Sequence, residues 1–77
     1  MRSNAETLAK DYELGKTKED YYQYIVDSLI NGNRYQVRRL FNKMRKHYQK
    51  DFLINFIDVR NGFHKSVLNI CIDELTD

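Results

Sequence analysis

Seventy-seven residues make one domain, a single unit over residues 1–77. A chain this short buries only about 60% of its unfolded surface, which excludes a deep, enclosed active site. The apolar share of 42% against 31% charged excludes intrinsic disorder, and the net charge is only +2.

Ser3 to Leu14 places Ala5, Leu8, Ala9 and Tyr12 at helical spacing, with Leu14-Gly15 as a C-terminal stop. Thr17, followed by Lys18, Glu19 and Asp20, is an N-cap with acids in the first turn, so a second helix is predicted from Lys18 to Ile30, ending at Asn31-Gly32. Its apolar side is Tyr22, Ile25, Val26 and Leu29, which leaves Tyr24 pointing away beside Asp20 and Asp27 as a candidate interface residue. Asn33 caps a third helix, Arg34 to Lys46, with Gln36 in the capping-box position. Val37, Leu40, Phe41, Met44 and then Tyr48 form its apolar stripe.

A fourth helix, Gln49 to Arg60, carries Phe52, Leu53, Ile54, Phe56, Ile57 and Val59 around a narrow polar strip of Asp51, Asn55 and Asp58. Apolar nearly all round, it is expected at the centre. Asn61-Gly62 stops it, and Phe63 to Leu75 reads as a fifth helix, with a short buried strand at Val67 to Ile72 as the alternative. The expectation is an all-α fold, a compact bundle of four to five short helices joined by short turns.

The small net charge conceals segregation. Residues 1–27 carry −2, residues 28–50 carry +7 and residues 51–77 carry −3. All seven charges of the middle segment are basic: Arg34, Arg38, Arg39, Lys43, Arg45, Lys46 and Lys50. At about 100° per residue, the side of the third helix opposite its apolar stripe holds Tyr35, Arg38, Arg39, Asn42 and Lys46. Cations beside an outward ring suit nucleic acid, because cations meet phosphates, a ring stacks on a base and an asparagine reads a base edge. The candidate binding residues are therefore Arg34, Tyr35, Arg38, Arg39, Asn42, Lys43, Arg45 and Lys46. The bland alternative is a wet face whose cations pair with Asp51 and Asp58 of the next helix. The helix, Asn31-Gly32-Asn33 turn and basic helix also have the outline of a helix-turn-helix, although Arg38 falls where that motif expects a buried aliphatic.

Other chemistry is thinly represented. His64 and Cys71 share a helical face but lack the further ligands a metal site needs, so Cys71 is expected in the core and no metal or cofactor is expected. No glycine precedes Lys-Ser or Lys-Thr as in a phosphate-binding loop, and the paired carboxylates are helix-surface charges, so no enzymatic activity is expected. There is no run of about 18 apolar residues, and Met1 to Lys10 lack a signal-peptide core. The only cysteine has no partner within the chain for a disulfide, which together points to a cytoplasmic protein without membrane attachment. The apolar excess of the last two helices predicts a homodimer. The partner is expected to be nucleic acid or an acidic protein surface.

The stretch YYQYIVDSLINGNRYQVRRLFNKM, residues 21–44, resembles the small lysine- and asparagine-rich helical proteins encoded by bacteriophages. The resemblance covers about a third of the chain and brings no binding residues with it. It implies a compact accessory protein, a regulator or an inhibitor of host machinery.

Overall fold

The computed structural model describes residues 2–76, in which five helices form an all-α bundle with no strand. They are α1 (Ala5–Asp11), α2 (Lys18–Ile30), α3 (Arg34–Asn42), α4 (Lys46–Asp51), which runs on into a π-helical turn (Phe52–Phe56), and α5 (Gly62–Thr76). The segment Val67 to Ile72 is helical, so the strand alternative falls away.

Local chemistry explains most of the boundaries. Thr17 Oγ1 accepts from the Asp20 N–H at 3.3 Å while Asp20 Oδ2 accepts from the Thr17 N–H at 3.1 Å, a reciprocal capping box. The Asp20 carboxylate lies so close to Gly15 that a Cβ there would stand 2.1 Å from its oxygen, and Gly15 has φ +148. At α3 the box is not reciprocal. Asn33 Oδ1 accepts from the Gln36 N–H, but the Gln36 side chain turns to Asn33 Nδ2 and to the Tyr24 hydroxyl.

Helices α1 and α2 end in the same Schellman arrangement. In α2, Gly32 N donates to Leu29 O and Asn33 N to Ser28 O, with Gly32 at φ +81. In α1, Glu13 N donates to Lys10 O and Leu14 N to Ala9 O, and the left-handed residue is Glu13, at φ +58. The helix therefore stops at Asp11, before the expected Leu14-Gly15. A side chain in that conformation costs roughly 1–2 kcal/mol, partly offset in a glycine by the freer unfolded chain. Glu13→Gly is accordingly expected to raise the melting temperature, by about 0.5–1 kcal/mol of stability; an unchanged or lowered value would mean the Glu13 side chain stabilises the turn in its own right.

The core is centred on α2, not on the fourth helix. α2 packs against α1, α3, α5 and the π turn, and its Tyr21, Tyr22, Ile25, Val26 and Ser28 are buried. Around it lie Ala5, Leu8 and Ala9 of α1, Val37, Leu40 and Phe41 of α3, Met44, Phe52, and Val67, Ile70 and Cys71 of α5. Tyr21, outside the apolar side expected for this helix, is fully buried and donates its hydroxyl to Leu40 O at 2.6 Å.

The expected helix from Gln49 to Arg60 is displaced and shortened. Lys43 ends α3, Met44 and Arg45 are extended enough to pair with Ser3, and α4 starts at Lys46. Ser3 N donates to Lys43 O at 2.7 Å and Arg45 N to Ser3 O at 3.0 Å. Helical structure ceases after Phe56 because Ile57 turns extended and the following groups find other partners. Asp58 N donates to His64 Nδ1 at 3.0 Å, Asp58 Oδ1 accepts from Arg60 N, and Asn61 Oδ1 accepts from the N–H groups of Phe63 and His64 at the start of α5. Of the segment's apolar residues only Phe52 is buried, and Ile54 is 64% exposed.

Candidate functional site

The outer face of α3 is built on a nine-residue helix held by Val37, Leu40 and Phe41 on its inner side. Tyr35 is 68% exposed and Arg34, Arg38 and Arg39 are all exposed. Arg39 Cζ stands 5.7 Å from the Tyr35 ring centroid, a cation–π contact. Among the described residues none of the seven cations from Arg34 to Lys50 forms an ion pair. Asp51 pairs with Lys18 at 2.8 Å and Asp58 with Arg60 at 3.1 Å, so the two acids that would have neutralised the face are engaged elsewhere.

The structure does not bring every expected residue to one surface. Asn42 is half-buried and donates through Nδ2 to Glu74 of α5, so its amide is committed to the bundle. Lys43 is half-buried with Nζ 5.6 Å from the Tyr12 ring. Arg45 and Lys46 lie beyond the end of α3; Lys46 and Lys50, with Arg2, Gln49, Leu53 and Leu75, line a separate hollow of about 320 Å³. Buried Gln49 donates from Nε2 to Phe41 O and Met44 O, closing the end of α3.

Tyr24 corrects the expectation that it points into solvent. Its hydroxyl accepts from Gln36 Nε2 at 2.7 Å, its ring centroid is 5.9 Å from that of Tyr12, and it lines a cleft of about 140 Å³ with Tyr12, Gln36, Arg39, Leu40 and Lys43. Helical periodicity sets it off the apolar stripe of α2, but α1 and α3 flank that side, and the half-buried ring packs against the core. Tyr12, read as part of the first helix's apolar face, caps α1 and is partly exposed.

A polar cluster joins α1, α2 and α4 on another side. Tyr48 donates its hydroxyl to Glu6, and Tyr22 donates to Asp51 Oδ2 at 2.9 Å and to Tyr48 O at 3.2 Å. With Lys18 and Asn55 also on it, the Asp51 carboxyl is held down at about 2, whereas burial first and Asp51 second push the Tyr22 hydroxyl up. A carboxyl lowered by folding lends stability above its unfolded value, about 3.9, and loses it as pH falls from there toward about 2. Thermal melts are expected to show the bundle weakening over that window, and Asp51→Asn to be less stable at neutral pH with a shallower acid slope. An identical slope would place the acid sensitivity on Glu6, Asp20 and Asp58, whose carboxyls are also lowered.

No group of three or more His, Cys, Asp or Glu side chains is placed to hold a metal ion among the described residues. His64 Nδ1 accepts from a backbone N–H, and Cys71 is fully buried, its thiol pushed up to about 12 chiefly by burial. No helix among the described residues is long and apolar enough to cross a membrane.

Compared with protein-family models, with curated proteins and with solved structures, the chain matches none.

Proposed function

We propose that this chain is a non-enzymatic, cytoplasmic nucleic-acid-binding regulator that meets phosphates through the outer face of α3. The observation that carries the reading is a run of basic residues that have no carboxylate partner among the described residues, set around an exposed tyrosine on the solvent-facing stretch Arg34 to Arg39. Free cations of this kind release counterions when they meet phosphates, whereas the same charges engaged in ion pairs would have little left to offer. The outline of α2, the Asn31-Gly32-Asn33 turn and α3 is that of a helix-turn-helix, but Arg38 is exposed where that motif buries an aliphatic, so the register of such a motif is not followed. The resemblance to bacteriophage accessory proteins agrees with a small regulator.

Fluorescence anisotropy with labelled oligothymidylate and with an oligothymidylate–oligoadenylate duplex tests the reading. Binding that weakens steeply with salt supports it; no binding to either at low salt overturns it. A second reading, an adaptor for an acidic protein surface, is favoured by one observation, the apolar hollow whose lining includes Arg2, Lys46 and Lys50.

We further propose that the chain forms a homodimer. Ile54, Val59 and Phe63 are exposed, and Leu68, Ile72 and Leu75 recur at four- and three-residue spacing on one side of α5, with Ile72 and Leu75 open to solvent. Sedimentation at micromolar concentration is expected to give a dimer. A monomer at all concentrations would leave these as ordinary isolated surface apolars.

A further inference from the structure

The outer face of α3 consists of two ridges at the i, i+4 spacing, and they end differently. Arg34, Arg38 and Asn42 form one; it runs into the Glu74 carboxylate that Asn42 holds. Tyr35, Arg39 and Lys43 form the other; it runs onto the Tyr12 ring at the end of α1. Along this second ridge two rings bracket two cations: Tyr35 under Arg39 at 5.7 Å, then Lys43 beside Tyr12 at 5.6 Å. Between the two cations opens the cleft of about 140 Å³ that Tyr24 and Gln36 back.

We infer that the nucleic acid taken by this protein is a single strand lying along the Tyr35–Arg39–Lys43–Tyr12 row, with bases stacked on the two tyrosines and the intervening phosphates on the two cations. The inference rests on the nucleic-acid reading above and deepens it. A duplex keeps its base faces stacked inside, so two outward rings would find nothing to stack on, whereas an unpaired strand offers a π-face at every nucleotide. The eight steps from Tyr35 to Lys43 rise about 12 Å, room for roughly two nucleotides in an extended strand. In the free protein each cation rests on the ring it would vacate; when a base stacks there, Arg39 and Lys43 move to the phosphates, where charge-assisted contacts are stronger than an exposed cation–π contact.

The test combines cross-linking with affinity. Irradiating the wild-type chain with 4-thiothymidine-substituted oligothymidylate and mapping the adducts by mass spectrometry should place them at Tyr12 and Tyr35. Tyr12→Ala is expected to lower oligothymidylate affinity by about 5- to 150-fold, the range for loss of one stacked base, while Tyr12→Phe keeps it and duplex affinity stays unchanged. Because Tyr12 also packs on Tyr21 and Tyr24, Lys43→Gln is a second variant that leaves those rings alone; it should weaken oligothymidylate and reduce its salt dependence. Adducts confined to other residues, or duplex bound as tightly as single strand with Lys43→Gln silent, would overturn the single-strand row and leave the phosphate-binding face standing. Failure of both nucleic acids to bind would instead bring down the reading beneath it.

Discussion

Phe52→Ala is expected to leave the protein largely unfolded near physiological temperature. Phe52 is fully buried where α4 passes into the π turn, with ring centroids 5.1 Å from Tyr22, 5.7 Å from Phe56 and 6.2 Å from Phe41. Truncating a buried phenylalanine costs about 3–5 kcal/mol. A chain of this length has only about 4–12 kcal/mol in all, at 0.05–0.15 kcal/mol per residue. The shift in melting temperature should be at least about 12 °C, since each kcal/mol moves a domain of this size by about 4–8 °C. The loss also spreads, because the Tyr22 hydroxyl bonded to Asp51 and to Tyr48 O depends on the Phe52 ring to hold Tyr22 in place. Circular dichroism melts decide it: a shift of only a few degrees would show that the π turn collapses onto the vacated space.

Reversing Arg34, Arg38 and Arg39 together to glutamate is expected to abolish nucleic-acid binding and to leave the fold intact. All three are exposed and free of ion pairs among the described residues, so each change should alter stability by only about 0.5 kcal/mol or less. Binding loses three charge-assisted contacts of roughly 1 kcal/mol or more each, about 100-fold or more at low salt, before the repulsion of the new carboxylates is counted. If Arg39 and Lys43 alone meet phosphates, as the single-strand row requires, the wild-type slope on a single strand is about −1.4 and affinity falls about 7-fold between 50 and 200 mM salt; contact by all three arginines and Lys43 would give about −2.8 and about 50-fold. A triple variant that binds as well as wild type would remove α3 from the interface and turn attention to the hollow at Arg2, Lys46 and Lys50. A variant that unfolds would mean that these side chains support the bundle.

The outward set on α3 was legible in the sequence because Val37, Leu40 and Phe41 keep a strict helical period, so the opposite residues follow by rotation. The start of α2 was legible for a local reason too, the Thr17 cap and its acids. What escaped depends on contacts between segments far apart in the chain. Asn42 looks free until α5 returns with Glu74, and Tyr24 looks outward until α1 and α3 flank it. The fourth helix lies elsewhere than its apolar composition predicts because such composition does not by itself mean burial. In a chain with so much surface for its volume, Ile54 and Val59 remain in solvent, and Asp58 and Asn61 draw the backbone into turns that periodicity does not register. Glu13 in a left-handed conformation has no sequence signal, since the glycine that would announce such a turn stands two residues later.

The pairing of Ser3 with the junction after α3 has a consequence for how the molecule opens. Two backbone hydrogen bonds, Ser3 N to Lys43 O and Arg45 N to Ser3 O, join points about forty residues apart, a loop whose closure entropy is regained whenever they break. Neither amide has a helical carbonyl to shield it. In native-state hydrogen exchange the Ser3 and Arg45 amides should therefore trade their protons at one common rate, faster than the amides in the middle of α2. That rate clocks the release of the N-terminal arm from an otherwise folded bundle.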